Sequence, residues 1–292
     1  MNDPSTSTHP PFPPQDTGPP PGLEKRMRPR PRYEGAEYLA AGKLKGLAAL
    51  ITGGDSGIGR SVATLFAREG ADVAIAYLPE EETDARETAD AIQASGQKPL
   101  LIPGNVCDMD CCRQMVEKTV QVFGKLDILV NNAAFQNHQE HVEDITREQW
   151  DKTFQTNIYG YFHMVKAALA YLKEGAVIIN TGSITGLEGS GGLVDYASTK
   201  GAIHAFTKSL AQNLVGRRIR VNCVAPGPVW TPLNPAERDC DDIKDFGEQN
   251  PLMRPAQPEE IAPAYVFFAS NADSRYITGE VLTQLGGATT AG

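Results

Sequence analysis

Between an apolar run at 47–51 and an amphipathic stretch, the chain places Thr52-Gly53-Gly54-Asp55-Ser56-Gly57-Ile58-Gly59. Ile58, Val62, Leu65 and Phe66 recur at i, i+4, i+7 and i+8, the spacing of one helical face. The glycines therefore sit where a buried strand hands over to a helix N-terminus. Glycine admits positive φ and close backbone approach, and the free N–H groups and positive dipole end of the helix favour anionic oxygens. A tight strand-to-helix turn that binds the pyrophosphate of a dinucleotide is the reading this context supports.

Composition limits what such a site can serve. A chain of 292 residues with 41% hydrophobic content is long enough for one large domain with a substantial core. Its formal net charge of −9 argues against nucleic acid and anionic membrane surfaces as partners and leaves small molecules. Cys107, Cys111, Cys112, Cys223 and Cys240 show neither metal-ligand spacing nor a disulfide framework, which suits reduced thiols in a cytoplasm. No apolar stretch is long enough to span a bilayer, and no signal-peptide order opens the chain.

Residues 1–43 read as an arm without a fold of its own, ahead of a catalytic domain at 44–292. Pro4, Pro10, Pro11, Pro13, Pro14, Pro19, Pro20 and Pro21 favour extended conformations, and aliphatic residues are few. Lys25, Arg26, Arg28, Arg30 and Arg32 make its second part basic against an acidic body. It either docks on its own or a neighbouring subunit, or stays a solvated tail.

Beyond the arm, strand patterns near 47–52, 72–77, 98–102, 126–131, 176–181, 219–224 and 280–284 alternate with helical ones. The alternation predicts a single α/β domain, a Rossmann-type doubly wound parallel sheet of about seven strands with helices on both faces. Ligands bind such sheets outside the carboxyl ends of the strands. Asn131-Asn132-Ala133-Ala134, Ser183 and Pro226-Gly227 all follow strands directly. Tyr196 and Lys200 stand four apart on a helical pattern, so they rise from one face about 6 Å apart along the axis. Bringing a phenol from about 10 to about 7 needs roughly 4 kcal/mol, which one ammonium at about 4 Å supplies in an effective dielectric near 20.

The ungapped TGxxxGIG of residues 52–59, with Asn157, Ser183, Tyr196 and Lys200, resembles the short-chain dehydrogenase/reductase family from about residue 44 to 287. The arm with its Gly22-Leu23-Glu24 resembles a bacterial subgroup similar to glucose/ribitol dehydrogenases and a general stress protein. The resemblance implies that Tyr196 exchanges the proton, Lys200 lowers its pKa and binds the nicotinamide ribose, Ser183 polarises the carbonyl and Asn157 holds a water in the relay. It implies cofactor contacts at Gly53, Asp55, Ser56, Gly57, Ile58, Gly59, Tyr77, Leu78, Asn105, Val106, Asn132, Ala133, Tyr196, Lys200, Pro226, Gly227, Val229 and Thr231. Two positions depart from the family pattern: Ala134 replaces the last glycine of NNAG, and Asn105 stands where an aspartate usually accepts from the adenine amine, a bond its amide oxygen can also accept.

The activity this implies is NAD(P)-dependent interconversion of an alcohol and a carbonyl, on a sugar, polyol or small ketone. A 3-oxoacyl thioester reductase uses the same tetrad, but it calls for a basic docking patch that is not evident. A non-catalytic dinucleotide-sensing protein would not need the tetrad intact. NAD-selective members carry an acid where Tyr77 stands, whereas NADP-selective ones often carry a base where Ser56 stands; the opposing absences suggest use of both, with a lean toward NADP. The resemblance also suggests a homotetramer built on the helices beginning near Trp150 and Tyr196, with Phe154, Ile158 and Phe162 along the first. His138, His141, His163 and His204 do not converge with acids at metal-ligand spacing, Asp195 reads as a helix-start residue, and Glu80-Glu81-Glu82 reads as a solvated loop. Trp230, Leu233, Phe246 and Met253 fall on what the family uses as a substrate lid, as pocket lining or as lid packing.

Overall fold

A computed structural model describes residues 8–238 and 240–290; Pro4 of the arm lies outside them. Seven parallel strands form one sheet in the order β3-β2-β1-β4-β5-β6-β7. They are β1 (Ala48–Thr52), β2 (Asp72–Tyr77), β3 (Pro99–Pro103), β4 (Ile128–Asn131), β5 (Val177–Thr181), β6 (Arg220–Pro226) and β7 (Val281–Gln284). The helices are α1 (Gly57–Arg68), α2 (Glu82–Ala94), α3 (Met109–Phe123), α4 (Arg147–Phe154), α5 (Gly160–Ala168), α6 (Thr185–Glu188), α7 (Val194–Leu214), α8 (Pro258–Ala269) and α9 (Asn271–Ser274). The expected doubly wound sheet is the observed one.

Both faces are covered because the strands are apolar on both sides. β1, β4 and β5 are buried at every residue. On one face Val62, Leu65 and Phe66 of α1 pack with Tyr265 and Phe268 of α8, each full burial contributing about 1.5–3 kcal/mol. On the other, Met115 and Val116 of α3, Met164 and Val165 of α5 and Leu214 of α7 cover Leu50, Leu129 and Ile178. The strand order reverses between β1 and β4, which pair with Ile51 opposite Val130, so a crevice opens above their carboxyl ends.

One element departs from the sequence reading. The helix expected to begin near Trp150 is interrupted by a π turn at Gln155–Tyr159 between α4 and α5. No proline or glycine precedes it to mark the break, and π turns are frequent at functional sites.

The described part of the arm docks on its own chain. Phe12 stacks on Trp230 with ring centroids 4.0 Å apart, and the two join Met27 and Ile243 in a small core of their own. The Phe12 N–H donates to the Lys244 carbonyl and the Trp230 indole N–H to the Pro29 carbonyl, at 2.8 and 2.9 Å. The basic half meets acids of the body as its charge suggested: Arg30 pairs with Glu87 and Arg32 with Glu259.

Candidate functional site

A cleft of about 600 Å³ lies above the crevice, lined from the glycine turn to the loop that follows β6. It brings together every residue expected to touch the cofactor except Gly59, which sits beneath it. A Cβ at Gly59 would overlap the Gly53 carbonyl oxygen, and Gly53 itself has φ +62°, so both positions demand glycine. Thr52 ties this turn to the end of β4: its hydroxyl accepts from the N–H groups of Asn132 and Ala133 at 3.0 and 3.1 Å, while the Asn132 side chain donates to the Gly53 carbonyl. Ala134 does not need positive φ, which explains why a Cβ is admitted there. The cradle fits a dinucleotide.

At the turn the arm enters the site. Pro20 and Pro21 line the cleft beside Ser56 and Ile58. The fully buried carboxylate of Glu24 accepts from the Gly57 N–H and from the Arg60 guanidinium, both at 2.6 Å. The N–H of Gly57 is thereby occupied, leaving the later N–H groups of the turn to face an anion. Arg60, also fully buried, meets Asp84 and Glu87 as well. Although Arg60 and, at 3.9 Å, Arg30 pull against it, burial pushes the Glu24 carboxyl up to about 7.

The end of β2 differs from the sequence reading. Glu81 is buried rather than solvated, because Pro79–Glu81 turns as a 3₁₀ segment that folds its side chain back to accept from the Leu78 N–H at 3.0 Å. It lines the cleft with Asp55, whose Oδ2 is buried without a hydrogen-bond partner among the described residues. Burial raises both carboxyls, Glu81 to about 9 with the Asp55 charge adding to it, and Asp55 to about 6 with Asp84 adding to it. Tyr77 donates to Glu82 at 2.5 Å. Asn105 keeps its side-chain oxygen close to home, accepting from the Cys107 N–H at 2.9 Å.

At the other end Ser183, Tyr196 and Lys200 converge. The Ser183 hydroxyl oxygen accepts from the Thr185 N–H and hydroxyl at 3.2 and 3.0 Å, so its own hydrogen is free to point into the cleft that Tyr196 also lines. Lys200, 1% exposed, donates to the Thr181 carbonyl at 2.8 Å, its nitrogen 5.3 Å from the Tyr196 ring centre. Burial pulls its ammonium down to about 8. Burial, and then the nearby Glu237 charge, push the Tyr196 phenol well above its ordinary value, with Ser183 opposing them. The Lys200 ammonium is turned to the Thr181 carbonyl, beside the Tyr196 ring.

Asn157 lies in the π turn with both side-chain N–H groups taken. It donates to the Phe135 carbonyl and the Thr199 hydroxyl at 2.8 and 3.0 Å and accepts from the Phe135 N–H at 2.8 Å. Its side chain clamps the segment after β4 to α7 and does not line the cleft. Asp195 starts α7 as expected, but its carboxylate is buried and accepts from Thr153 at 2.6 Å and Gln149 at 3.2 Å, fixing α4 against α7. Of the lid residues, Trp230 is buried against the arm, Leu233 and Phe246 line the cleft, and Met253 is 62% exposed. Among the described residues no three His, Cys, Asp or Glu side chains group to hold a metal.

Residues 53–289 match a family model described as enoyl-(acyl carrier protein) reductase. The chain is 52% identical to general stress protein 39 of Bacillus subtilis, over 91% of this chain and 93% of that one. It is 47% identical to the glucose and ribitol dehydrogenase of Daucus carota, over 95% and 97%. It is 45% identical to a chloroplastic NADPH-dependent aldehyde reductase 1 of Arabidopsis thaliana, over 92% and 95%. A Burkholderia cenocepacia short-chain dehydrogenase solved in complex with NADP superposes with a TM-score of 0.77 at 33% identity, covering 84% of this chain and 98% of that one.

Proposed function

The chain belongs to the short-chain dehydrogenase/reductase family and is an oxidoreductase to which NAD or NADP fits; we propose that it reduces the carbonyl of a hydroxylated small molecule, a sugar or its aldehyde, to the alcohol and runs the reverse on a polyol. The observation that carries this is the convergence of Ser183, Tyr196 and Lys200 at one end of a cleft whose other end is a glycine cradle. Its relatives named for glucose, ribitol and aldehydes support the substrate class.

When bound, the nicotinamide supplies or takes up the hydride. The residues do the rest. Ser183 donates its free hydroxyl hydrogen to the substrate oxygen and polarises the carbonyl. Tyr196, held protonated at neutral pH by its burial, donates its proton to that oxygen as the alcohol forms. Lys200, with its ammonium against the floor of the cleft, binds the nicotinamide ribose and stabilises the phenolate left behind. Asn157 positions the segment after β4, and a water linking it to Lys200 would donate to an Asn157 oxygen, since both side-chain N–H groups are taken. The carbonyl-reducing direction suits a phenol that rests protonated.

Asp55, which lines the cleft in the glycine turn and is ionised above about 6, weighs against a 2′-phosphate, while the NADP-bound neighbour and the NADPH-dependent relative weigh for it. Both cofactors are therefore proposed as substrates. No helix among the described residues is long and apolar enough to cross a membrane, and a cytoplasmic enzyme is the reading we adopt. A homotetramer is supported by Trp150, Tyr159 and Phe162, which leave apolar surface exposed along the α4–α5 stretch. The function is tested by following reduced-nicotinamide absorbance with a panel of aldoses, polyols and simple ketones. Turnover confined to the hydroxylated compounds is expected; turnover of ketones alone would overturn the substrate class.

A further inference from the structure

Gln136 stands two residues beyond Ala134, 4% exposed, on the wall of the cleft near Tyr196 and Leu193. No sequence motif marks it. Its orientation follows from a chain of hydrogen bonds that begins at the main chain. The Val229 carbonyl can only accept, so the Asn234 nitrogen faces it at 2.8 Å and also reaches the Thr231 hydroxyl at 3.1 Å. The Asn234 oxygen is thereby turned to Gln136, whose nitrogen donates to it at 3.3 Å and to the buried Glu237 carboxylate at 2.7 Å. Turning the Gln136 amide over would set its oxygen against both acceptors, so the network permits one orientation. Both N–H donors of Gln136 are spent, and among the described residues no donor reaches its Oε1.

We propose that Gln136 is a specificity-determining residue whose Oε1 accepts a hydrogen bond from a substrate hydroxyl next to the reacting carbonyl, with Asn234 and Glu237 as positioning residues. The inference rests on the proposed carbonyl reduction and narrows its substrate to α-hydroxy carbonyl compounds. The chemistry selects by sign. A fixed acceptor with no donor to offer favours a hydroxyl and opposes a second carbonyl or a carboxylate at that place, which disfavours 3-oxoacyl compounds. Burial raises the Glu237 carboxyl to about 7, against Arg238 and Gln136, so above that pH it holds the amide as a charged acceptor, more firmly than a neutral one would. Asn157 ties Phe135, next to Gln136, to Thr199, next to Lys200, which places the acceptor at the reacting end of the cleft.

The test compares D-glyceraldehyde with propanal, which share a carbon skeleton and differ in hydroxyls, using the full chain and either reduced cofactor. The wild type should favour glyceraldehyde in kcat/KM by about tenfold or more. Gln136→Met, similar in shape and lacking the acceptor, should lose most of that ratio through KM for glyceraldehyde. Gln136→Glu in mildly acidic buffer should keep it to within about threefold, because the protonated acid donates to Glu237 and leaves a carbonyl oxygen on the cleft. A wild-type ratio below about threefold overturns the proposal without recourse to any variant, as does an unchanged ratio in Gln136→Met. Either result leaves carbonyl reduction standing, whereas no turnover of any carbonyl compound overturns both.

Discussion

Replacing Glu24 by glutamine should stabilise the protein as the pH rises, although it removes a fully buried ion-pair partner. Glu24 is wholly buried, and its carboxyl is pushed from 4.5 to about 7, first by desolvation, against the pull of Arg60. Below its unfolded value the acid is protonated in both states and resembles glutamine, so variant and wild type should be close. Between the two values the folded state keeps a proton that the unfolded chain has released, and wild-type stability falls as pH rises. Above about 7 the full loss is reached, about 3 kcal/mol for a displacement of this size. Glutamine has no such dependence; its one oxygen can replace only one of the two that accept from Gly57 and Arg60, a cost that does not vary with pH, and Arg60 retains Asp84 and Glu87. Urea unfolding of both proteins at equal concentration, from about pH 5 to about pH 8, should show the difference moving toward the variant by about 2–3 kcal/mol. A difference that stays flat, or moves against the variant with rising pH, would refute the reasoning, because it would mean that Arg60 holds the carboxylate ionised.

Further consequences concern the two ends of the cleft. Because burial lowers the Lys200 ammonium to about 8, its charge is present below that pH and lost above it, so cofactor affinity measured by fluorescence should fall roughly tenfold or more as pH rises through about 8. Lys200→Met should bind weakly with no such step. Tyr77→Asp should shift the ratio of specificity constants toward NAD, measured by paired steady-state kinetics. Phe12→Ala should lower thermal stability and expose the arm to limited proteolysis, since it empties the stack on Trp230 at a cost of about 3 kcal/mol.

The sheet was legible because its signals are local and periodic. Each expected strand begins and ends within two residues of an observed one, and the glycines of the turn declare a backbone that only glycine supplies. The residues that converge after β4, β5 and β6 were legible because the topology assigns chemistry to strand ends. What escaped depends on contacts far apart in sequence. Glu81 lies in a run of three glutamates that reads as solvated, and only the 3₁₀ turn after Leu78 buries it. Gln136 gains its meaning from Asn234 and Glu237, roughly a hundred residues away. Phe12 is a lone aromatic among prolines until Trp230 is brought beneath it. The hydrogen bond from Lys200 to the Thr181 carbonyl was not legible either, because a shared helix face with Tyr196 does not fix side-chain direction.

The central claim is that Tyr196 delivers the proton in a hydride-transfer reaction within this cleft. Tyr196→Phe removes one hydroxyl and nothing else. With a substrate turned over by the wild type, oxidation of reduced nicotinamide by the variant should fall at least about a hundredfold in kcat, while cofactor binding by fluorescence titration stays within about threefold. Near-native turnover in the Phe variant would contradict the account.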